Sequence, residues 1–246
     1  MNSYDSVVAF ASHANQLGHL DIAILHASVR RDPFTLSSHG CEEDLQVNIL
    51  STTLPGILLL PKLHASKPHT GKTPVLQLVN LGLHQTAIIP PALISSPSIL
   101  AAYNDPQDFS AQNQYAHSKL LLMYTTNALA ATTSPADVIV TSVCPGMVSS
   151  NLARDVKVPG INVLLAVIGF FVMRAPEQAA NTYVSGAVQD ANLHGAFWKN
   201  DAVQSVAGML VGEENREVGR RVWAEVKAVL EKEVEAVKEV LGSIRL

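Results

Sequence analysis

A tyrosine and a lysine four residues apart are the side chains of this sequence best suited to acid–base chemistry. Tyr115 and Lys119 bound the segment Tyr115-Ala-His-Ser-Lys119. On a helix, residues four apart share a face, so the phenol and the ammonium would lie side by side. A nearby cation favours the phenolate and lowers a tyrosine pKa from about 10 toward neutral. Such a tyrosine can exchange a proton with a substrate oxygen near pH 7. The spacing alone is a weak signal, because short motifs also arise by chance.

The elements that would position this pair follow an alternating pattern. Short apolar runs predict buried strands, and longer amphipathic runs predict helices between them. This alternation indicates an α/β fold with a parallel sheet and helices on both of its faces. We expect a truncated Rossmann-type sheet of about four strands in a single domain, 1–246. The predicted strands are 20–25, 75–81, 138–143 and 196–198, and the predicted helices are 4–17, 42–63, 112–131, 176–189 and about 214–244.

The last of these helices carries a regular apolar seam. From Trp223 to Ile244, apolar residues recur at spacings of three and four between charged faces. Packing on the chain's own domain is the favoured interpretation, and a contact between subunits is the alternative. Because this helix is longer than a small domain needs, we expect a homo-oligomer.

The composition is that of a globular chain. Its 246 residues are 48% hydrophobic and 15% charged, with a formal net charge of -4. These values favour one domain with a sizeable core, and no basic face for nucleic acid is implied. The longest apolar run, 161–173, is shorter than the roughly 18–20 residues of a membrane span. With two cysteines, Cys41 and Cys144, and no visible signal peptide, we expect a cytoplasmic protein without an integral membrane segment.

Further segments accompany the Tyr115 helix in a fixed order. Upstream, a stretch that begins at Gly40 ends in Val-Asn at Asn48, and downstream Cys144-Pro145-Gly146-Met-Val-Ser-Ser150 follows a predicted strand. Together these segments resemble the short-chain dehydrogenase/reductase family, in the branch that contains retinol dehydrogenases and fungal metabolic reductases of secondary metabolism. The resemblance extends over nearly the whole chain. It implies that Tyr115 and Lys119 are catalytic, that Asn48 supports their proton relay, and that Pro145, Gly146 and Ser150 lie against the nicotinamide.

The sequence departs from the family pattern at its beginning. Met1 falls just before the helix that precedes the family's fourth strand, and no Gly-x-Gly-x-x-Gly occurs in the chain. In the family these glycines let the backbone approach the pyrophosphate. We therefore expect an N-terminally truncated and degenerate member, whose strand at 20–25 is a bare sheet edge.

Two further departures fall within the matching region. Ser28 stands where the family has a glycine beside the cofactor, and Leu81 or Leu83, depending on the alignment, stands where the family has its catalytic serine. Loss of one such hydrogen-bond donor typically costs about a hundred- to a thousandfold in rate. His26 and His84 flank the same strand ends, where polar packing is a more common role than catalysis.

These departures predict an enzyme that has lost hydride transfer. It would act on a small, largely apolar oxygenated metabolite by dehydration, isomerisation or cyclisation, with no cofactor and no metal. Its apolar substrate would lie under a lid at about 151–175. The first alternative is an NAD- or NADP-dependent ketone or alcohol oxidoreductase, with its nucleotide-binding segment outside this chain or supplied by a partner. The second is a non-catalytic binding subunit.

Overall fold

The protein is built on one five-stranded sheet in the order β1-β2-β3-β4-β5. The computed structural model describes residues 1–148 and 173–244. The first four strands are parallel and β5 is antiparallel to β4. This confirms the predicted α/β class with a mostly parallel sheet. The strands are β1 Ile22–Leu25, β2 Val75–Val79, β3 Ile139–Cys144, β4 Phe197–Lys199 and β5 Ala202–Gln204.

Helices cover both faces of this sheet. The two long helices α3 and α6 contact the strands from one side, and α7 contacts β2 and β3 from the other. Short 3-10 turns occur in the connections between these elements. The helices are α1 Tyr4–Asn15, α2 Glu43–Leu45, α3 Ser51–Thr70, α4 Pro91–Ile94, α5 Ile99–Tyr103, α6 Ala111–Ala131, α7 Pro176–Ala187, α8 Glu213–Glu233 and α9 Glu235–Ser243.

The fifth strand is a correction to the predicted four. A two-residue turn at Asn200 and Asp201, both with positive φ, reverses the chain so that Lys199 pairs with Ala202. Such turns match the twist of a hairpin, and Asn and Asp adopt positive φ more readily than most residues. The strand was missed because its three residues are too short for an alternating pattern to be visible.

The predicted helix 42–63 is also different in detail. It comprises α2, a π-helical turn over Gln46–Leu50, and α3, which continues to Thr70. Single π turns within α-helices often occur at functional sites. Here the turn contains Asn48, so the irregular geometry lies at one of the predicted site residues.

The first strand lies at the edge of the described sheet. Its side chains alternate between buried and exposed, and Ile22 and Ile24 are 45% and 39% exposed. The central strands β2 and β3 are buried along their whole length. The centre of the sheet is therefore fully buried, while the apolar residues Ile22 and Ile24 of its edge strand are exposed.

The C-terminal segment forms two helices, with a break at Val234, where the backbone is extended. α8 packs on α6 and α9 packs on α3, with Val222, Val226 and Leu230 in the core. The apolar seam is thus covered by the chain's own domain, which is the packing that the sequence favoured. Within the described residues no helix is both long and apolar enough to cross a bilayer. The predicted lid at 151–175 falls mainly outside these residues.

Candidate active site

The predicted site residues gather at the carboxyl edge of the parallel strands. His26 and Ser28 follow β1, Leu81 follows β2, and Pro145 follows β3. In open α/β sheets this edge is where ligands bind. The charge of Lys119 acts on both His26 and Asp44, so the long helix α6 reaches the same place.

Helix α6 presents the tyrosine and lysine side by side. Tyr115 and Lys119 are 6% and 2% exposed, and the lysine Nζ lies 5.7 Å from the centroid of the phenol ring. At the end of β2, the Asn80 side chain donates a hydrogen bond of 3.1 Å to the Lys119 carbonyl, which ties the helix to the strand. The pair therefore has the arrangement that its spacing predicts.

Asn48 holds three elements together through its amide. Its Nδ2 donates to the Val29 carbonyl at 2.9 Å and to Ser118 Oγ at 3.0 Å, and its Oδ1 accepts from the Val29 N–H at 2.9 Å. Ser118 Oγ in turn donates to the Tyr115 carbonyl at 2.8 Å. The amide thus connects the loop after β1 to the helix that carries the phenol.

Ser28 extends this network from the loop after β1. Its Oγ donates to Asn48 Oδ1 at 2.9 Å. The order of contacts is therefore Ser28, Asn48 and Ser118. The sequence placed Ser28 beside the cofactor, and in the structure its hydroxyl is hydrogen-bonded to Asn48.

The expected direction of the Tyr115 pKa is wrong. Burial raises the pKa of Tyr115 to about 12, and among the groups that lower it the Ser28 hydrogen bond has the largest effect. The desolvation of the phenolate outweighs the nearby charges, because a buried anion loses its hydration. Tyr115 is therefore protonated at neutral pH and is poised as an acid.

Lys119 and Asp44 form a buried electrostatic pair near the phenol. Burial lowers the pKa of Lys119 to about 8, and the charge of Asp44 opposes this. Burial likewise raises the pKa of Asp44 to about 8. Asp44 Oδ1 accepts from the Arg31 N–H at 3.0 Å, whereas its Oδ2 is buried without a hydrogen-bond partner in the described residues. The Lys119 ammonium and the Asp44 carboxyl can therefore each still bind a charged or polar neighbour.

Asp44 is the residue that the sequence analysis missed. It lies in the quoted segment that begins at Gly40, four residues before Asn48. In an α-helix that spacing places two residues on one face, and from it Asp44 could have been recognised as a neighbour of Asn48.

The two candidate histidines differ in setting. His26 is exposed as a whole, but partial burial of its ring, edge-on to Tyr183 at 5.4 Å between centroids, lowers its pKa, as does Lys119. His84 is buried, its Nδ1 contacts the Leu81 carbonyl at 2.8 Å, and burial lowers its pKa. A carbonyl partner requires the hydrogen to be on Nδ1, so this ring nitrogen is used in packing against the loop after β2.

Leu81, after β2, and Gly146, after β3, supply shape rather than side-chain donors. Leu81 packs with Met123, Cys144 and Phe197, so its side chain offers no hydrogen bond. Gly146 has a φ of +85°, and a Cβ there would lie 3.5 Å from Arg174 Nε. Ser150 lies outside the described residues.

Two cavities are lined by residues other than those of this cluster. One of about 510 Å³ lies between His64, Thr133 and Ser243, and one of about 180 Å³ lies between Tyr103, Asn113 and His117. In the described part of the chain, no group of three or more His, Cys, Asp and Glu side chains could hold a metal ion. The polar cluster at Tyr115 is therefore the best candidate for chemistry.

Comparison with known sequences supplies the family. No known family profile matches the chain. It is 34% identical over 245 residues to the short-chain dehydrogenase/reductase phmF of Phaeosphaeria nodorum, covering 98% of this chain and 71% of that protein. It is 35% identical over 235 residues to the short chain dehydrogenase/reductase mfmJ of Annulohypoxylon moriforme, covering 94% and 67%. The chain belongs to the short-chain dehydrogenase/reductase family. The predicted family and the prediction of an enzyme are thereby confirmed.

Solved structures agree on the fold of this dehydrogenase/reductase. An uncharacterized protein from Mycobacterium paratuberculosis matches with a TM-score of 0.62 at 19% identity, over 94% of this chain and 73% of that one. The NADPH-bound carbonyl reductase from chicken fatty liver matches with a TM-score of 0.57 at 13% identity, over 84% and 74%. The RhlG/NADP complex of Pseudomonas aeruginosa matches with a TM-score of 0.54 at 18% identity, over 77% and 70%.

These neighbours correct one expectation and weaken another. The prediction of no cofactor is wrong, because structures described as NADPH-bound and NADP-bound proteins point to a nucleotide cofactor rather than to none. The relatives are named as dehydrogenases and reductases, which favours the oxidoreductase alternative over dehydration, isomerisation or cyclisation. The loss of the family's glycine and serine in this chain did not justify the inference that redox chemistry is lost.

Proposed function

We propose that this protein is an oxidoreductase that uses NADP or NAD to interconvert a carbonyl and an alcohol on a small molecule. The observation that most supports this is the buried pair of Tyr115 and Lys119, joined through Ser118 to Asn48 at the carboxyl edge of the sheet. A positioned acid beside a cation suits the reduction of a carbonyl group, because the carbonyl oxygen gains negative charge and takes up a proton. The names of the relatives support the same reaction class.

A nicotinamide nucleotide fits the residues at this edge. Among the hydrogen bonds and ion pairs of residues 1–148 and 173–244, none involves the Lys119 ammonium, although it is almost fully buried. A buried charge is costly without polar partners, and ribose hydroxyls can serve as such partners. We propose that Lys119, Pro145 and Gly146 hold the nicotinamide end. The left-handed backbone at Gly146 lets the loop after β3 turn without a Cβ.

The side chains of this chain then handle the proton. The reduced nicotinamide, when bound, supplies a hydride to the carbonyl carbon. Tyr115 is protonated at neutral pH because burial raises its pKa to about 12, so its Oη can donate a proton to the substrate oxygen. The positive charge of Lys119 favours the phenolate that remains.

The surroundings of the cluster support an apolar substrate. Leu81 packs with Met123 and Phe197, and the exposed Leu83 lies two residues further along the chain. These side chains cannot pair with a polar group, so an apolar body next to the reacting carbonyl would be preferred.

We also propose that residues 1–246 act as one domain in the cytoplasm. One sheet and one large core cluster include elements from α1 to α9. Both cysteines, Cys41 and Cys144, are free, and free thiols suit a reducing compartment.

The test is reduction of a panel of apolar ketones and aldehydes with NADPH or NADH. Tyr115→Phe should lower kcat by about a hundred- to ten-thousandfold, because the proton donor is lost. Tyr103→Phe is the matched control, since this buried hydroxyl has no hydrogen-bond partner in the described residues. Equal turnover by wild type and Tyr115→Phe would contradict the role of the phenol. Absence of turnover with every carbonyl and both nucleotides would contradict the function.

A further inference from the structure

Arg30 lies in the loop after β1, between two residues whose backbone is anchored at the candidate site. On one side, the N–H and the carbonyl of Val29 are hydrogen-bonded to the Asn48 amide, both at 2.9 Å. On the other side, the Arg31 N–H donates to Asp44 Oδ1 at 3.0 Å. The backbone at Arg30 is therefore held in place at the carboxyl edge of the sheet.

The guanidinium of Arg30 has no hydrogen bond or ion pair within residues 1–148 and 173–244. The residue is half-buried, and its Nε is buried without a partner. The charge of Arg30 also opposes the rise in the Tyr115 pKa that burial causes, which agrees with a position near the phenol. Buried polar atoms are rarely left unpaired, so this guanidinium points to a ligand group that can accept its hydrogen bonds.

Two carboxylates at the start of α2, the helix that contacts this loop, are already used. Glu42 accepts hydrogen bonds from the backbone N–H groups of Asp44 and Leu45. Glu43 is paired with the side chain of Arg31. Neither of the two carboxylates is therefore available to balance a further cation.

Asp44 does not balance the charge of Arg30 either. Burial raises the pKa of Asp44 to about 8, so the carboxyl is mainly protonated at neutral pH. The charges of both Lys119 and Arg30 act on this one carboxyl. Even its ionised form would leave one of the two cations uncompensated. A buried cation without a counter-charge is costly, so this edge of the sheet favours an anionic ligand group.

We propose that Arg30 binds a carboxylate of the substrate. This inference deepens the proposed function and rests on it, since the substrate would be a carbonyl compound with an apolar body and a carboxylate. A guanidinium presents its N–H groups in a planar fork that matches the two oxygens of a carboxylate. A nucleotide phosphate offers similar oxygens, but the nicotinamide end is assigned to the loop after β3, two strands away from the loop that carries Arg30.

Substrate pairs that differ only in charge test this specificity. Benzoylformate, benzoylpropionate and benzoylbutyrate are compared with their methyl esters, with NADPH or NADH, in wild type and Arg30→Gln. The wild type should reduce at least one acid with a kcat/KM about ten- to a hundredfold above that of its ester, as expected for hydrogen bonds between charged groups. Arg30→Gln should remove this preference through KM. A wild type that prefers no acid, or a variant that slows acids and esters equally, would overturn the proposal.

Thermal unfolding tests the same contact without turnover. A ligand that binds the folded protein raises its Tm, so at least one of these acids should stabilise the wild type more than its ester does, with or without saturating NADP. Arg30→Gln should lose this stabilisation, whereas Arg220→Gln, at an exposed arginine of α8, should keep it. Equal stabilisation of wild type and Arg30→Gln would overturn the proposal. If the wild type reduces no carbonyl compound, the function fails and this measurement still decides the role of Arg30.

Nucleotide affinity separates a substrate carboxylate from a nucleotide phosphate. In calorimetric titrations, the Kd for NADPH and for NADH should change by less than about twofold in Arg30→Gln. Arg30→Lys keeps the charge without the planar fork and should regain part of the preference for the acid. Weaker nucleotide binding by Arg30→Gln, together with an unchanged preference for the acid, would assign the guanidinium to a phosphate and overturn the proposal.

Discussion

Two buried polar regions on neighbouring turns of the chain differ in how completely they are hydrogen-bonded. Around Asn48, both amide atoms have partners in the loop after β1 and in α6. Around Asp44, four residues earlier, the carboxylate Oδ2 and the nearby Arg30 Nε are buried without partners in the described residues. The first region is a closed network, and the second has polar atoms without hydrogen-bond partners in the described residues.

This difference gives the two regions different roles: the region around Asn48 positions side chains, and the region around Asp44 influences their charges. A fully satisfied network rigidifies its surroundings, and here it fixes the helix that carries Tyr115. A buried network in which some polar atoms lack hydrogen-bond partners costs stability. Its groups act strongly on nearby charges, because little solvent screens them. Asp44 acts on both Lys119 and Tyr115, so the second region sets the charge balance of the site.

Replacement of the buried cation should give the largest effect. We expect Lys119→Met to reduce carbonyl reduction by about a hundredfold or more, because the phenolate loses its counter-charge. The same change should raise the free energy of unfolding by up to about 3 kcal/mol at neutral pH, since burial lowers the pKa of Lys119 to about 8 and a buried cation opposes folding. Steady-state kinetics and urea unfolding measure both. A loss of activity together with a loss of stability would contradict this role.

Removal of the central amide should open the closed network. We expect Asn48→Ala to cost about 3 kcal/mol of unfolding free energy, because the half-buried Val29 backbone and the buried Ser118 hydroxyl lose their partner. Asn15→Ala is the control, since this exposed amide makes one 3.3 Å hydrogen bond to the Leu58 carbonyl. Its cost should stay below about 1 kcal/mol in the same urea titration. Similar costs for the two variants would show that the network is not a positioning unit.

Neutralisation of Asp44 should change the pH dependence of stability. Burial raises the pKa of Asp44 to about 8, so from about pH 4 to 8 the folded protein holds a proton that the unfolded chain has lost. Stability should therefore fall as pH rises through this window, by up to about 1.4 kcal/mol per unit. Asp44→Asn should flatten the slope, whereas Asp5→Asn, at an exposed carboxylate, should not. An unchanged slope in Asp44→Asn would contradict the assigned cause.

The smallest effect concerns two buried tyrosines outside the cluster. Tyr103 Oη has no partner in the described residues, while Tyr124 Oη donates to the Met209 carbonyl at 2.6 Å. Tyr103→Phe should leave the unfolding free energy within about 0.5 kcal/mol of wild type, and Tyr124→Phe should lower it by about 1 kcal/mol. Thermal unfolding of the two variants side by side measures the difference. The reverse order would show that burial rather than hydrogen bonding governs these hydroxyls.

The sequence predicted the elements whose patterns are long and periodic. The strands at 75–79 and 139–144 and the helix at 111–131 appear where apolar runs and helical spacing placed them. The π turn at Gln46–Leu50 and the hairpin strand Ala202–Gln204 were not visible, because each depends on local backbone geometry rather than on periodicity.

The candidate site could be predicted in its members but not in its energetics. Tyr115, Lys119 and Asn48 lie together, as motif and family order suggested. The rise of the Tyr115 pKa and the hydrogen bond of Ser28 to Asn48 were not predictable, because both depend on the packing in three dimensions. The prediction of no cofactor failed because the missing glycine-rich turn and the changes at Ser28 and at Leu81 or Leu83 were together taken as loss of the reaction.

Calorimetric titration of the protein with NADPH and with NADH tests the central claim most directly. Nicotinamide fluorescence in the same titration reports contact of the ring with the protein. We predict saturable binding of at least one nucleotide with a Kd on the order of micromolar. Neither heat nor a fluorescence change at about millimolar nucleotide would contradict the account, since Tyr115 would then have no hydride donor to work with.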